Sequence, residues 1–323
     1  MKVLAKAPTK VTLFGEHSVV YGEPALVYSI PIYVEVEMKE SENLSIITGP
    51  INLSNIDLTI KENEVYLGER SKSEILQYMK YIMEALKKID VTSVEIKIAS
   101  PLPVGAGVGT SAAVSVATIA AAMALKDIPI NKETIAKRAW EVELSVQGKA
   151  SPMDTHASAI GGVLWIERRG SEWKLERLEG AELPLVVALF EKRKTTAQLV
   201  REVAKKVEAN DIYKKIIKIM GEIARKAKEA LLDGDLEALG EMMNVNHAML
   251  EALGVVNKEV SEAVHSALLA GAYGAKVSGA GSGGAVVALA DDLDSVAAAL
   301  LASGARKVFV LRSPSQGVEV YKY

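Results

Sequence analysis

Apolar and polar positions change period several times along the chain, and each change predicts an element. The run YVEVEM, residues 33–38, alternates apolar with charged residues, as a strand with one wet face does. Similar runs predict strands over Val3 to Ala7, Ala25 to Met38 with a break near Pro31, Leu44 to Ile47 and Val94 to Ile98. Glu74 to Lys88 carries apolar residues at helical spacing, and Lys132 to Gln147 reads as a helix capped by Asn131. After Gly161-Gly162 the strand pattern returns in GGVLWIERR, EWKLERL and LPLVVALF. From Thr196 to Leu269 the chain is mostly helical, with amphipathic stretches KIIKIMGEIARKAKEALL and LEALGEMMNVNHAML. Then come a strand, a glycine loop and a strand in AKVSGAGSGGAVVALA, a helix over Asp294 to Leu301, and short strands in KVFVL and VEVYK. Strands interleaved with helices in both halves predict an α+β protein of two lobes. The expected division is residues 1–190 and residues 191–323.

One uncharged stretch resists these templates: PLPVGAGVGTSAAVSVATIAAAMAL, residues 101–125. A membrane span needs about 20 mainly apolar helical residues. Here Pro101, Pro103, Gly105, Gly107 and Gly109 break the front, and Thr110 to Leu125 is short and carries Ser115 and Thr118. A buried core helix is the better reading. The spacing G-x-G-x-G is not the dinucleotide fingerprint, and no Lys precedes Thr110 as a Walker A loop requires. What remains is a strand (VEIKI), a glycine loop and a helix opening at Thr110-Ser111. Such a loop lets backbone N–H groups approach an anion at a positive helix end. Taken alone, it is equally a glycine-rich turn into a core helix.

Composition narrows the field. A net charge of −3 and 5% aromatics give no electrostatic or stacking footprint for nucleic acid. The absence of Cys excludes disulfides, thiolate catalysis and zinc–thiolate sites. The N-terminus has lysines at positions 2, 6 and 10 and no long apolar run, so a cytoplasmic location with no membrane partner is expected.

Three further stretches bear on the glycine loop. In APTKVTLFGEHSVVYGEPAL, Lys10, Glu16 and His17 lie in or beside an apolar strand and a glycine turn, where charge is costly unless paired or functional. In GKASPMDTHASAIGG, Asp154 stands among small residues between a helix and a strand, a place where an Asp is usually a helix cap. KVSGAGSGGAVVALA, by itself, is a hairpin or a close backbone approach. His247 and His265 fall in the helical region and read as surface or core residues, His156 as a bystander, and Met242, Met243 and Met249 as core.

Together, KAPTKVTLFGEHSVVYG, PLPVGAGVGTSAA and KVSGAGSGGAVVAL resemble, in order and spacing, the three motifs of the GHMP small-molecule kinases. The resemblance covers essentially the whole chain. It implies a two-lobed fold: an N-terminal lobe like domain 2 of ribosomal protein S5, a ferredoxin-like C-terminal lobe, and an active site in the cleft between them. Within the family, GEHSVVYG resembles the mevalonate kinases, and the compact length resembles their archaeal type. Ser18, Val19 and Val20 stand where galactokinases carry an acidic residue, and Thr9 stands where family members usually have Gly.

What the resemblance implies for function is ATP-dependent phosphorylation of the 5-hydroxyl of mevalonate, with Mg²⁺ as cofactor. Asp154 would accept the hydroxyl proton and Lys10 would stand beside it. Pro103, Gly105, Ala106, Gly107, Val108, Gly109, Thr110 and Ser111 would form the triphosphate loop. Ser111 and Glu143 would hold the metal. Glu16, His17 and Thr196 would lie on the substrate side with Lys10 and Asp154. The resemblance also admits a homodimer. Competing readings are a kinase of the same fold acting on phosphomevalonate or another small alcohol, and a non-catalytic ligand-binding member; the presence of both Lys10 and Asp154 disfavours the last.

Overall fold

In a computed structural model of the chain, residues 1–48, 58–61, 64–67, 69–102, 106–148 and 150–323 are described. The chain begins with two long strands, β1 (Lys2–Phe14) and β2 (Ala25–Glu40), joined through a one-turn 3-10 helix at Ser18–Tyr21. They pair antiparallel over most of their length. Between Pro8/Thr9 on β1, the partner on β2 jumps from Tyr33 to Ile30. The break expected near Pro31 is therefore a bulge within one strand: Pro31 has no N–H to give the ladder, and the extra residues take it out of register.

Three short strands follow, β3 (Ser45–Thr48), β4 (Leu58–Lys61) and β5 (Glu64–Leu67), then helix α1 (Glu69–Ile89) and strand β6 (Val94–Ala99). The hairpin of β4 with β5 has no counterpart in the strand runs expected from sequence. Helices α2 (Thr110–Leu125), α3 (Lys132–Gln147) and α4 (Met153–Ile160) come next, then β7 (Val163–Arg169) and β8 (Glu172–Leu178). The first sheet runs β13-β1-β2-β6-β3, where β13 is the last strand (Glu319–Lys322); β7 joins β2 beyond the bulge and β8 pairs with β7. The uncharged stretch is resolved by α2, every residue of which is buried except Ser111. A helix apolar all round belongs in a core, and its alanines let it lie close against the sheet between α1 and α3. Among the described residues, no helix is long and apolar enough to cross a membrane.

The remainder forms a second sheet. Strand β9 (Leu185–Phe190) is followed by four helices, α5 (Thr196–Ala209), α6 (Asp211–Asp233), α7 (Leu236–Ala252) and α8 (Lys258–Leu269). Then come β10 (Gly274–Ser278), β11 (Gly284–Leu289), α9 (Leu293–Ala302) and β12 (Lys307–Leu311). The order β10-β11-β9-β12, all antiparallel, with helices after the first and third strands, is the β-α-β-β-α-β pattern of the expected ferredoxin-like lobe. By pairing, β9 belongs with residues that follow position 190, although it precedes it. Likewise β13 returns to the first sheet from the far end of the chain. A cut in sequence cannot express either pairing.

The lobes are joined by a buried ion pair. Glu16 and Lys276 meet with both side chains fully sequestered. Asn246 Nδ2 donates to the second Glu16 oxygen at 3.3 Å, and Lys276 Nζ also donates to the Val277 carbonyl at 2.7 Å. Burial pulls the Lys276 ammonium down, while Glu16 opposes that shift. Next to it, the Val277 N–H donates to His247 Nδ1 at 3.3 Å, so the ring proton sits on Nε2, 3.6 Å from Glu251. Burial lowers His247 to about 4, against the opposing pull of Glu251. Met243 is buried, with Met242 and Met249 packed against the same core, as expected.

Removing one partner of a sealed pair leaves an uncompensated charge. Lys276→Met is therefore expected to lower the unfolding free energy by about 3–5 kcal/mol, with Glu16→Gln added to it restoring most of the loss. Denaturant titration checks this; a single variant as stable as the parent would mean that Glu16 is not truly confined. His247 yields a pH dependence. Its folded value lies below the free value of 6.5, so the unfolded chain binds the extra proton and stability falls as pH drops from 6.5 towards 4. The full effect is on the order of 3 kcal/mol. His247→Gln should flatten that part of the stability–pH curve, and curves parallel to the parent's would refute the assignment.

Candidate active site

The cleft between the lobes is assembled from β1 outward. Lys10 and Thr12 share a face of β1 because strand side chains alternate. Lys10 Nζ donates to Thr12 Oγ1 at 2.9 Å and lies 2.9 Å from Asp154 Oδ1. Lys10 is almost wholly buried, whereas Asp154 retains 29% side-chain exposure. The carboxylate thus faces the opening and the cation stands behind it. Asp154 lies in the first turn of α4, where the N-cap position belongs to Pro152; it is not the cap its sequence setting suggested. His156 turns back to donate to the Pro152 carbonyl at 2.8 Å and takes no part in the cleft, as expected.

The glycine loop reaches this pair from above. The Lys10 N–H donates to the Val108 carbonyl at 2.9 Å. Gly109 is the N-cap of α2 at φ 71°, a left-handed conformation that glycine adopts without strain. A Cβ at Gly109 would lie 3.0 Å from Lys10 Cε and 3.6 Å from Asp154 Oδ2, so the bare backbone is what brings the end of α2 against the ion pair. Ala106 and Val108 are buried, and Thr110 is buried with its hydroxyl unpaired among the described residues. Pro103 and Gly105 lie outside the described residues.

Behind the loop, Glu143 of α3 is buried beside Ser111. Burial pushes its carboxyl well above the usual carboxylate range and neighbouring Asp154 adds to this; Lys10 and Ser111 pull the other way. Two carboxylates and a hydroxyl thus converge beside the positive end of α2. Tyr81 of α1 closes this corner. Gln147 donates to its hydroxyl at 2.8 Å. Burial, then Glu143, raise the phenol to about 12, so it remains a neutral donor.

On the opposite wall, His17 holds a left-handed φ of 57°, uncommon for a residue with a Cβ. Its Nε2 donates to the Ala280 carbonyl at 3.0 Å, and burial keeps the ring below its ordinary value and neutral. Glu16, expected on the substrate side, is instead sealed against Lys276. Thr196 is exposed at the start of α5, and its hydroxyl accepts from Lys192 Nζ at 2.9 Å. Thr195, next to it, is the helix cap, which settles which of the two threonines is free of the capping role.

The structure therefore brings together Lys10, Asp154, Glu143, Ser111 and Gly109, with His17 on the facing wall. It adds Thr12, Tyr81 and Lys192. Thr12 had a signal, being two residues from Lys10 on a strand. Tyr81 looked like one more apolar position of α1, and Lys192 like the first cation of a surface run, KRK.

The descriptions "GHMP kinases N terminal domain" and "GHMP kinases C terminal" match residues 75–162 and 227–306. The chain is 41% identical over 304 residues to a mevalonate kinase of Pyrococcus furiosus, covering 90% of each. It is 40% identical over 319 residues to a mevalonate kinase of Thermococcus gammatolerans, covering 94% of each. The crystal structure of L. major mevalonate kinase in complex with R-mevalonate superposes with a TM-score of 0.80 at 27% identity, covering 97% of this chain and 95% of that one. With both family segments in place and such relatives spanning nearly its full length, the chain belongs to the GHMP kinase family.

Proposed function

We propose that this protein transfers the γ-phosphoryl group of ATP to the 5-hydroxyl of mevalonate, giving 5-phosphomevalonate and ADP, from a cytoplasmic location. The observation that carries this reading is the Lys10–Asp154 pair seated beneath the N-terminus of α2. Phosphoryl transfer needs positioning and charge neutralisation more than covalent chemistry. Asp154 is the exposed member of the pair, and a carboxylate there accepts the proton of an attacking hydroxyl. Lys10, fixed by Thr12, stabilises the charge that builds on the transferring group. The N-terminus of α2 and the bare backbone at Gly107 and Gly109 suit phosphate oxygens.

Ser111 and Glu143 would hold Mg²⁺. A buried carboxylate raised by its burial and by Asp154 supports this, because a dication relieves the crowding of negative charge. Among the described residues no three His, Asp or Glu side chains gather into a metal site of their own. That suits an ion that takes only one or two protein oxygens and completes its shell with phosphates and water. When bound, the metal supplies charge neutralisation on the phosphate oxygens.

Coupled ADP release with Mg-ATP and a panel of mevalonate, phosphomevalonate, homoserine and galactose tests the reading. Turnover of mevalonate alone is expected; turnover of another member instead would overturn the substrate. Asp154→Asn is expected to lower kcat by about 10²–10⁴-fold while nucleotide binding persists. Near-normal turnover in that variant would remove Asp154 from the chemistry.

A further inference from the structure

The segment between β9 and α5 carries three successive cations, Lys192, Arg193 and Lys194. Two of them are neutralised on the outer surface: Arg193 pairs with Glu259 at 3.2 Å and Lys194 with Glu202 at 2.8 Å. Even the preceding Glu191 is occupied, by Arg306 at 2.6 Å. Lys192 is the exception. Among the described residues it has no carboxylate within ion-pair distance, and its ammonium makes one hydrogen bond, to Thr196 Oγ1.

This segment is held in place by the third glycine motif. The Arg193 N–H donates to the Ser282 carbonyl at 2.8 Å, and a Cβ on Gly283 would stand 1.9 Å from the Glu191 carbonyl oxygen. The same loop offers the Ala280 carbonyl to His17. Lys192 and His17 are thus carried by one support into the same space. The charges that act on Lys192 are Lys10 and Asp154, and Lys192 in turn acts on His17. Burial, followed by repulsion from Lys10, brings its ammonium down to about 8, with Asp154 opposing. A cation drawn into a cleft without an ion-pair partner is stabilised when an anion from outside completes it.

We propose that Lys192 is a substrate-binding residue that grips the carboxylate of the acceptor, with Thr196 orienting its ammonium, so that the alcohol at the other end of the molecule is presented to Asp154. This rests on the reading of mevalonate as acceptor. The alternative anion is the transferring phosphoryl group. Lys10 and the end of α2 already serve that side, whereas Lys192 is held by Thr196 and acts on His17 of the facing wall.

The test compares the unaltered chain with Lys192→Met and Lys192→Arg, using mevalonate and its uncharged carboxamide. Loss of one charge-assisted contact should raise KM for mevalonate about ten- to hundred-fold. KM for ATP should stay within about twofold and kcat should change less than KM. The unaltered chain should prefer the acid to the amide, Lys192→Met should lose that preference, and Lys192→Arg should regain most of it. Retention of the acid preference in Lys192→Met would overturn the proposal alone, as would a rise in KM for ATP, or a fall in kcat, at constant KM for mevalonate. An unaltered chain inactive on mevalonate would overturn the substrate reading and this proposal together.

Discussion

The cleft depends on two glycine loops that meet backbone to backbone. A Cβ on Gly107 would fall 3.3 Å from the Ala285 nitrogen, one on Gly279 only 2.8 Å from the Gly107 carbonyl oxygen, and one on Gly284 3.3 Å from the Ala106 carbonyl oxygen. Side chains at these positions would wedge the lobes apart. Because they are absent, the turn between β10 and β11 rests directly on the loop that opens α2. Other contacts then follow from this seat. The Thr12 N–H reaches Ser278 Oγ at 2.8 Å, Lys10 reaches Val108, and His17 reaches Ala280. A few tenths of an ångström at the glycines would be felt at the ion pair, since close-packed interiors transmit strain.

Around that seat the charges are sorted by burial. The pair farthest from solvent, Glu16 with Lys276, is closed on itself and satisfied by Asn246 and the Val277 carbonyl. A buried pair of this kind is weak evidence for stability and better understood as fixing a geometry. The pair at the opening, Lys10 with Asp154, has one partner available to solvent. Among the described residues neither Glu143 nor Lys192 has a partner at ion-pair distance, and each is displaced towards its neutral form, Glu143 upward and Lys192 downward. The surplus of carboxylate on one side and of ammonium on the other marks this cleft as a candidate site for a charged ligand.

Much of this was legible in the sequence, for identifiable reasons. Lys10 and Asp154 stood out because a charge in an apolar strand and an acid in a small-residue segment both need explaining, and the order of three motifs supplied the explanation. The ferredoxin-like lobe was expected from the family resemblance; the local pattern by itself showed only its short apolar strands with glycine between them. What was not legible depends on partners distant along the chain. Nothing local to LPLVVALF says that β9 pairs with β11 and β12 and not with the strands before it. Lys276 could be seen as a charge inside an apolar strand, yet its partner lies 260 positions away. Tyr81 and Lys192 carry the patterns of an ordinary helix face and an ordinary surface run; only the fold turns them inward.

Glu16 and His17 show why a motif fixes residue types more surely than roles. They are adjacent, and sequence alone assigned them to the same wall. The chain turns between them through a left-handed residue at His17, after Gly15 at φ 107°. Such a conformation in a residue with a Cβ persists only where its surroundings hold it. Here they do: the imidazole is tied to Ala280 on one side, and the preceding carboxylate is tied to Lys276 on the other. The turn therefore sends one side chain into the joint between the lobes and the next towards the cleft. The acidic residue of the motif works as an anchor, and its value to the site is that the imidazole beside it cannot drift.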